Sequence, residues 1–531
     1  MKPERQENTG RHATLIAAGI LLSRIAGLVR DRFFAHYFGN SDAADAFRAA
    51  FRIPNFLQNL LGEGVLSASF IPVYAGLRAR KLDKEADQVA SAVFCLLSLT
   101  VSCLAVIGVL ATPLLIDAIA PGFQGNKREL TISLVRILFP GAAFLSLSAW
   151  CLGVLNSHRR FFISYSAPLA WNLVMIATLL GFGGHFGQFP LAEILAWGSV
   201  AGSLLQCLIQ LPHITLLLGK FRFSLGIGMT NVRIIIRNFI PVFISRGVVQ
   251  ISAYIDAFLA SFLPAGSLAA LVYAQTLYTL PVSLFGMSVS AAELPALSSA
   301  LGETTEVHRY LRNRIDTGLR QIAFFVIPSA MAFLALGDII TGAIYQTGQF
   351  TRHDSVYVWY ILAGSSIGLL ATTLGRLYFS AYYALKDTVT PLRYAVLRVF
   401  LTAILGYLCA LPLPGLLGLS PKWGVVGLTA SAGVCGWLEF VLLRNNLQKR
   451  IGKTGLSTVF TLKLWISSGI GAAAAWIVKL MMGLHHPLLL AMASLGSYGL
   501  IYLGTATAFS VPEARGLINK AVHSLERHRE A

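Results

Sequence analysis

Ten basic residues lie inside long apolar segments of this 531-residue chain, and four arginines among them are candidates for binding a substrate: Arg24, Arg30, Arg52 and Arg246. A charged side chain at the centre of a bilayer costs at least about 2.5–3.5 kcal/mol, so these groups must face protein or water rather than lipid. The planar guanidinium carries several donors that match the oxygens of a phosphate group. The arginines therefore predict a hydrated cationic cavity for an anionic, phosphorylated substrate.

Charged residues accompany these arginines in the first segment. Helical spacing places Asp31 on the same face as Arg24, whereas Arg30 points about 120° away unless Gly27 bends the helix. A cavity or gate role is predicted for Asp31. An intramembrane ion-pair network between helices is the structural alternative.

The second segment repeats this pattern. Asp45, Arg48 and Arg52 are three and four residues apart and share one helical face, and Glu63 follows them. Asp45, Arg48 and Glu63 are therefore further cavity or gate candidates, with the same ion-pair alternative.

Charged residues in the second half extend the candidate set. Arg246 and Asp256 occupy faces roughly 80° apart, so Arg246 is a cavity candidate and Asp256 a candidate cation or proton site. Pairing of Asp256 with a neighbouring helix is the alternative. Glu293, near the end of the eighth segment, is a gate or salt-bridge candidate, and so are Arg376 and Arg398. Exposure of these charges to water in a loop is the alternative explanation.

The remaining composition argues against catalysis and against nucleic acid. No P-loop, nucleophile and base pair, or metal constellation stands in the sequence, and the six cysteines lie in apolar stretches without a CxxC pair. The basic residues behind the net charge of +18 are scattered in small groups between apolar segments instead of forming one basic face. We therefore predict no enzyme activity, no cofactor, no metal and no nucleic-acid partner.

The elements that must position these residues are membrane-spanning helices. The chain is 55% hydrophobic and 12% charged, and its mean hydropathy is +0.67, far more apolar than a soluble domain. An all-α integral membrane protein of about 14 spans is predicted. The expected spans are 13–37, 43–76, 88–115, 130–156, 162–184, 190–218, 234–262, 268–300, 320–342, 355–382, 391–411, 423–443, 464–482 and 487–510. The second is too long for one straight crossing, and Pro54, Gly62 and Gly64 offer breaks.

Charge placement predicts the orientation. The alternate loops that would face outside carry few basic residues, namely Lys127, Arg128, Arg352 and Lys422, whereas the inside segments carry most of them. The positive-inside rule then places both termini in the cytoplasm. Basic residues of the C-terminal tail are expected to contact anionic lipid headgroups.

The two halves of the chain contain similar dipeptides in the same order, which indicates an internal repeat. Ser23-Arg24 recurs as Ser245-Arg246 and Ile53-Pro54 as Leu280-Pro281, with two further pairs at similar offsets. Six spans separate equivalent points, which indicates parallel repeats of the kind used by alternating-access carriers. The predicted divisions are 1–222 and 223–450 for two six-helix lobes, 451–515 for two extra helices, and 516–531 for the basic tail.

Several motifs give the chain a resemblance to a known family. They include the run from Ser23 to Asp31 (SRIAGLVRD), Asp45-Ala46-Phe47, Arg52-Ile53-Pro54-Asn55, Glu63-Gly64 and Asp387 with Thr390-Pro391. The chain resembles the MurJ/MviN family of lipid II flippases, within the multidrug/oligosaccharidyl-lipid/polysaccharide exporter superfamily, over nearly its full length.

The resemblance implies a fold and a function. It implies fourteen helices, with the two lobes in a V-shape around a central cavity, in the bacterial inner membrane. The implied activity moves undecaprenyl-pyrophosphate-linked muropeptide, lipid II, to the periplasmic leaflet for peptidoglycan synthesis. Basic residues matching Arg24, Arg30 and Arg52 would hold the pyrophosphate, Ser23 and Asn55 would join the cavity, and the last two helices would form a groove for the lipid tail.

The sequence departs from the family pattern at some positions. Gln58-Asn59 stands where relatives often carry an arginine pair, and Gln275-Thr276 stands where they often carry Asp-Arg. We predict that Arg246 replaces part of the missing positive charge. Asp256 and Thr402 match part of a sodium site, so the coupling cation, Na⁺ or H⁺, or the membrane potential alone, is left open.

Competing functions are a flippase for another polyprenyl-linked glycan and a cation-coupled drug antiporter of the same superfamily. A third is an intramembrane scaffold that recruits cell-wall synthesis proteins. For the scaffold, the arginines would be dispensable.

Overall fold

The computed structural model describes residues 4–158, 160–219, 221, 223–298, 304–385, 387–482 and 486–519. Within its helices it leaves out the side chains of residues 4–18, 20, 63–64, 161, 244–253, 294–296, 298 and 304–305. The described chain is helical, and its only strand-like pairing is an isolated bridge between Thr347 and Phe350. By contacts it divides into two units, residues 1–269 with 347–350, and residues 270–346 with 351–531.

The described residues of the first unit form ten helices that lie entirely within it. In chain order they are α1 (Glu4–Phe38), α2 (Asp42–Leu61), α3 (Glu63–Ser69), α4 (Ile71–Ala79), α5 (Asp83–Leu110), α6 (Thr112–Ile119), α7 (Gly125–Ser157), α8 (Phe161–Phe182), α9 (Gln188–Leu217) and α10 (Thr230–Ser261). Helix α7 packs along α9 and α2, and α8 packs along α1 and α9. These five helices form the scaffold of the candidate site.

The second unit contains the remaining helices, apart from the first residues of α11. They are α11 (Ser267–Pro281), a π-helix (Val282–Met287), α12 (Ser288–Ser298), α13 (Thr304–Ala335), α14 (Gly337–Tyr345), α15 (Arg352–Ser366), α16 (Leu369–Ala384), α17 (Val389–Ala410), α18 (Pro412–Leu416), a 3₁₀ turn (Pro421–Trp423), α19 (Gly424–Ile451), α20 (Thr458–Met482) and α21 (Pro487–Ala508). Helix α16 packs against α12, α13 and α19, and α20 packs along α21.

Each of the fourteen predicted spans overlaps one or more of these helices. Among the described residues, eleven helices are long and apolar enough to cross a membrane, or twelve if α15 and α16, which meet at 44°, form one broken span. The all-helical membrane fold is therefore confirmed, and the count of fourteen stays a prediction compatible with it.

The long second segment breaks where glycine allows it. Helix α2 runs through Pro54 without ending and stops at Gly62, which has an extended conformation (φ −86°, ψ −153°) and also begins α3. A second break follows at Phe70. The prediction of a break at Pro54 is wrong. Proline removes only its own N–H from the helix ladder, and tertiary packing of α2 maintains the helix across that gap.

Candidate substrate cavity in the first unit

A cavity of about 360 Å³ lies among five helices of the first unit. It is lined by Ser23, Gly27 and Arg30 of α1, Phe51, Asn55 and Gln58 of α2, Leu145 of α7, Pro168, Trp171 and Asn172 of α8, and Gln206 of α9. One arginine, four side-chain amides, one hydroxyl and two aromatic rings thus share one space. Such a lining offers hydrogen-bond donors to oxygen-rich ligands and carries no carboxylate among these residues.

Arg30 is the basic residue of this lining, and three neighbours hold it. Its guanidinium donates to the Asn172 amide oxygen at 3.1 Å and to the Asp31 carboxylate at 3.0 Å, and it lies 4.8 Å from the centre of the Trp171 ring. Because a guanidinium has five N–H donors, these contacts orient Arg30 and leave further donors for a ligand. The structure places Arg30 where the sequence predicts a phosphate-binding group.

Asp31 connects the cavity to the next helix. Its carboxylate, almost completely buried, accepts from both Arg30 and Arg48, the latter at 3.2 Å. Arg48 also lies 4.3 Å from the centre of the Phe34 ring. The two guanidinium groups and the one carboxylate together carry a net positive charge. The ion-pair alternative therefore describes Asp31 and Arg48 better than a direct cavity role.

A buried cluster of polar side chains lies on α7 and α9, beside the cavity. Gln206 and Gln210 both donate to the Ser148 hydroxyl, at 3.0 and 2.6 Å. Asn172 donates an amide proton to the Pro168 carbonyl at 3.0 Å, and this bond fixes the direction of the amide oxygen that accepts from Arg30. These bonds hold the amides in place before any ligand arrives.

Arg24 and Arg52 do not line this cavity. Ser23, Gly27 and Arg30 follow helical spacing and share one face of α1, whereas Arg24 lies beside that stripe and is exposed. Arg52 is half-buried, and the opposite charge of Asp256 acts on it. Of the three arginines predicted to converge on one cavity, Arg30 lines this space, and the cavity roles predicted for Arg24 and Arg52 stay predictions.

Asp45 has a different environment from the cavity. Its carboxylate, fully buried, is 2.6 Å from Lys127 and accepts backbone N–H bonds from Gly266 at 2.8 Å and Ala269 at 2.7 Å. Asp42 shares Lys127 at 2.9 Å. The cavity role predicted for Asp45 does not fit these contacts. Its carboxylate instead joins α2 to the start of α11 and to α7.

The other predicted residues are distributed over both units. Glu293 is buried and pairs with Arg314 at 2.9 Å in the second unit. Asp256 belongs to the first unit and Thr402 to the second. The side chains of Arg246 and Glu63 lie outside the described residues, as does the tail from residue 520, so the roles predicted for them stay predictions.

Sequence reasoning missed most of the uncharged lining. The cavity is also lined by Trp171, Phe51, Gln58 and Gln206, which carry no charge and so lack the feature from which the site was predicted. A signal was present, because Asn and Gln inside a membrane-spanning segment also require a polar partner. Gln206 and Gln210, four residues apart on α9, carry that signal.

Comparisons with known proteins agree with this fold. The family model described as lipid II flippase MurJ matches residues 34–496. The lipid II flippase MurJ of Burkholderia cenocepacia is 30% identical over 453 residues, covering 83% of this chain and 84% of the relative. A probable lipid II flippase MurJ of Rhizobium tropici is 32% identical over 449 residues, covering 82% and 80%.

Solved structures of membrane transporters have the same helical fold as this chain. A lipid II flippase MurJ in an inward closed conformation superposes with a TM-score of 0.77 and 25% identity, covering 95% of this chain and all of the other. An inward-facing multidrug MATE transporter superposes with a TM-score of 0.65 at 15% identity, covering 83% and 98%, which shows a shared fold alone. The chain belongs to the MurJ family of lipid II flippases.

Proposed function

We propose that this chain carries lipid II from the cytoplasmic to the periplasmic leaflet of the bacterial inner membrane by alternating access. Membership of the family and the multi-pass helical fold support a transport function. We further propose that the chain does no chemistry on the substrate and that both termini are cytoplasmic. The distribution of basic residues along the chain supports that orientation.

The observation that carries the proposal is the position of Arg30 in the cavity of about 360 Å³. A pyrophosphate-linked sugar needs charge-assisted donors for its phosphate oxygens and neutral donors and acceptors for its hydroxyl and amide groups. The charge-assisted donor is the guanidinium of Arg30. The neutral donors and acceptors are the side chains of Ser23, Asn55, Gln58 and Gln206.

We propose that the membrane potential drives the cycle, with Asp256 of the first unit as a candidate residue for binding a coupling cation, Na⁺ or H⁺. Moving one charge through 100 mV is worth about 2.3 kcal/mol, enough to bias two conformations without ATP. Anionic lipid headgroups are proposed contacts of the basic tail, and cell-wall synthesis proteins are proposed partners.

Genetic replacement tests this function. A strain depleted of its own lipid II flippase is complemented with this chain, with Arg30→Gln, Arg24→Ala and Arg52→Ala variants, and with Arg128→Gln as the matched control. Arg128 is a partly exposed arginine of the same unit that pairs with Asp117.

We expect rescue by the wild-type chain and by Arg128→Gln, and loss of rescue by Arg30→Gln. Lipid II levels, measured in the same cells, separate this function from transport of another polyprenyl-linked glycan. Failure of the wild-type chain to lower accumulated lipid II, despite normal membrane insertion, would reject the proposal.

A further inference from the structure

Arg376 is a half-buried arginine of the second unit that has no carboxylate partner among the described residues. It lies in α16, and its Nε atom is buried without a hydrogen-bond partner among the described residues. The ionisable groups that act on it are the Tyr278 hydroxyl and the guanidinium of Arg398. The ion pairs found within the described part of this unit do not include Arg376.

The neighbouring Arg398 already has a carboxylate partner. Glu439, which is buried on α19, accepts a hydrogen bond from Arg398 at 2.9 Å. Arg376, Arg398 and Glu439 together therefore carry a net positive charge. A charge that is partly withdrawn from water is normally paired, so a guanidinium in a membrane-spanning segment that has no carboxylate partner among the described residues calls for an anion from outside the chain.

The hydroxyl groups of Thr372 and Tyr278 lie near Arg376. Thr372 lies one turn before it on α16, and Tyr278 of α11 reaches Thr372 with its hydroxyl. A guanidinium with two hydroxyl groups matches the acceptors of a phosphate or carboxylate group.

The backbone opposite Arg376 has an unusual form. Residues Val282–Met287 form a π-helix between α11 and α12. Gly286, in this π-helix, packs directly on Thr373, and a Cβ built at Gly286 would lie 3.6 Å from Cδ of Arg376. Single π-helical turns are frequent at functional sites, where they change which side chains face a ligand.

We propose that Arg376, with Tyr278 and Thr372, forms a second anion-binding site that takes an anionic group of the transported substrate. This inference rests on the proposed function. The ligand chemistry is a phosphate or carboxylate oxygen group, which lipid II carries both in its diphosphate and in its peptide. Its residues belong to the second unit, whereas Arg30 belongs to the first.

Binding to the full chain in lipid nanodiscs tests the site with two probes, lipid II and undecaprenyl diphosphate. The variants are Arg376→Gln, Arg376→Lys and Tyr278→Phe. The matched control is Arg393→Gln, an exposed arginine of the same unit. We expect Arg376→Gln to weaken lipid II binding at least tenfold, Arg376→Lys to weaken it less, and Arg393→Gln to stay within twofold of the wild type.

The two probes identify the anionic group. If binding of both probes falls in Arg376→Gln, the site holds the diphosphate, and if only lipid II binding falls, it holds a peptide carboxylate. Lipid II affinity within twofold of the wild type in Arg376→Gln, or an equal loss in Arg393→Gln, would overturn the site while leaving the proposed function intact. A wild-type chain that binds neither probe would overturn both.

Thermal unfolding separates a binding role from a structural one. Because Arg376→Gln removes a half-buried charge that has no carboxylate partner among the described residues, the ligand-free variant should melt at the same temperature as the wild type or higher. A lower melting temperature, with lost lipid II binding explained by misfolding, would contradict the inference.

Discussion

The Asp31 carboxylate lies 3.2 Å from the guanidinium of Arg48 on the next helix, while the same carboxylate holds Arg30 at 3.0 Å. One acidic group therefore compensates two arginines, and only one of them lines the cavity. This arrangement keeps Arg30 extended toward the cavity when no substrate is present. It also makes the local structure dependent on Asp31.

Asp31→Asn is expected to destabilise the protein. Removal of one partner of a buried ion pair costs about 3–5 kcal/mol because the remaining charges stay buried. Asp117→Asn is the control, since its pair with Arg128 is largely exposed and such pairs contribute at most about 1 kcal/mol. Thermal unfolding in detergent should show a large drop for Asp31→Asn and almost none for Asp117→Asn. Equal melting temperatures would contradict the assignment.

Lys127 pairs with two aspartates that differ in burial. Asp45 is buried and also accepts two backbone N–H bonds, whereas the Asp42 side chain is 47% exposed. Asp45→Asn should therefore lower stability by about 3 kcal/mol or more, and Asp42→Asn by less than about 1 kcal/mol. Unfolding of the two purified variants checks this. A larger effect at Asp42 would show that the buried cluster does not hold the start of α11.

Gly27 provides a steric test of the cavity. A Cβ at Gly27 would have its nearest neighbour, the Asn172 oxygen, at 4.0 Å, so Gly27→Ala should fold and rescue normally. Gly27→Phe places a ring in the cavity and should abolish rescue, although the protein still reaches the membrane. Gly76→Phe is the matched control, because open space surrounds Gly76. Full rescue by Gly27→Phe would mean that substrate does not use this cavity.

His158 predicts a pH dependence of stability. Burial, followed by the positive charge of Arg78, lowers the pKa of His158 below its ordinary value of 6.5. Its Nε2 lies 2.9 Å from the Tyr74 hydroxyl. Below pH 6.5 the unfolded chain takes up this proton more readily than the folded chain. Stability should therefore fall as the pH drops from about 6.5.

The measurement for His158 is the melting temperature between pH 7.5 and 5.5. His158→Gln should flatten its decline, whereas His185→Gln, which changes an exposed histidine, should leave it unchanged. A decline that persists in His158→Gln would assign the pH dependence to other groups.

The helices could be predicted well because apolar length alone determines whether a segment crosses a membrane. The segment predicted as 43–76 is found as Asp42–Ala79, and its break at Gly62 was among the predicted positions. The π-helix after Pro281 could not be predicted, since its backbone depends on packing against α16.

The partners of the charged residues could be predicted only in part. Helical spacing placed Asp45, Arg48 and Arg52 on one face, yet their neighbours are Lys127, Asp31 and Asp256. Spacing within a helix determines which way a side chain points. The residue it meets lies on another helix, and a single sequence does not specify helix neighbours.

Transbilayer movement of fluorescent lipid II in proteoliposomes containing the purified chain tests the central claim most directly. We predict movement by the wild-type protein under a membrane potential, and a loss of at least tenfold in Arg30→Gln with Arg128→Gln unaffected. Equal lipid II movement by the wild type and Arg30→Gln would contradict the account.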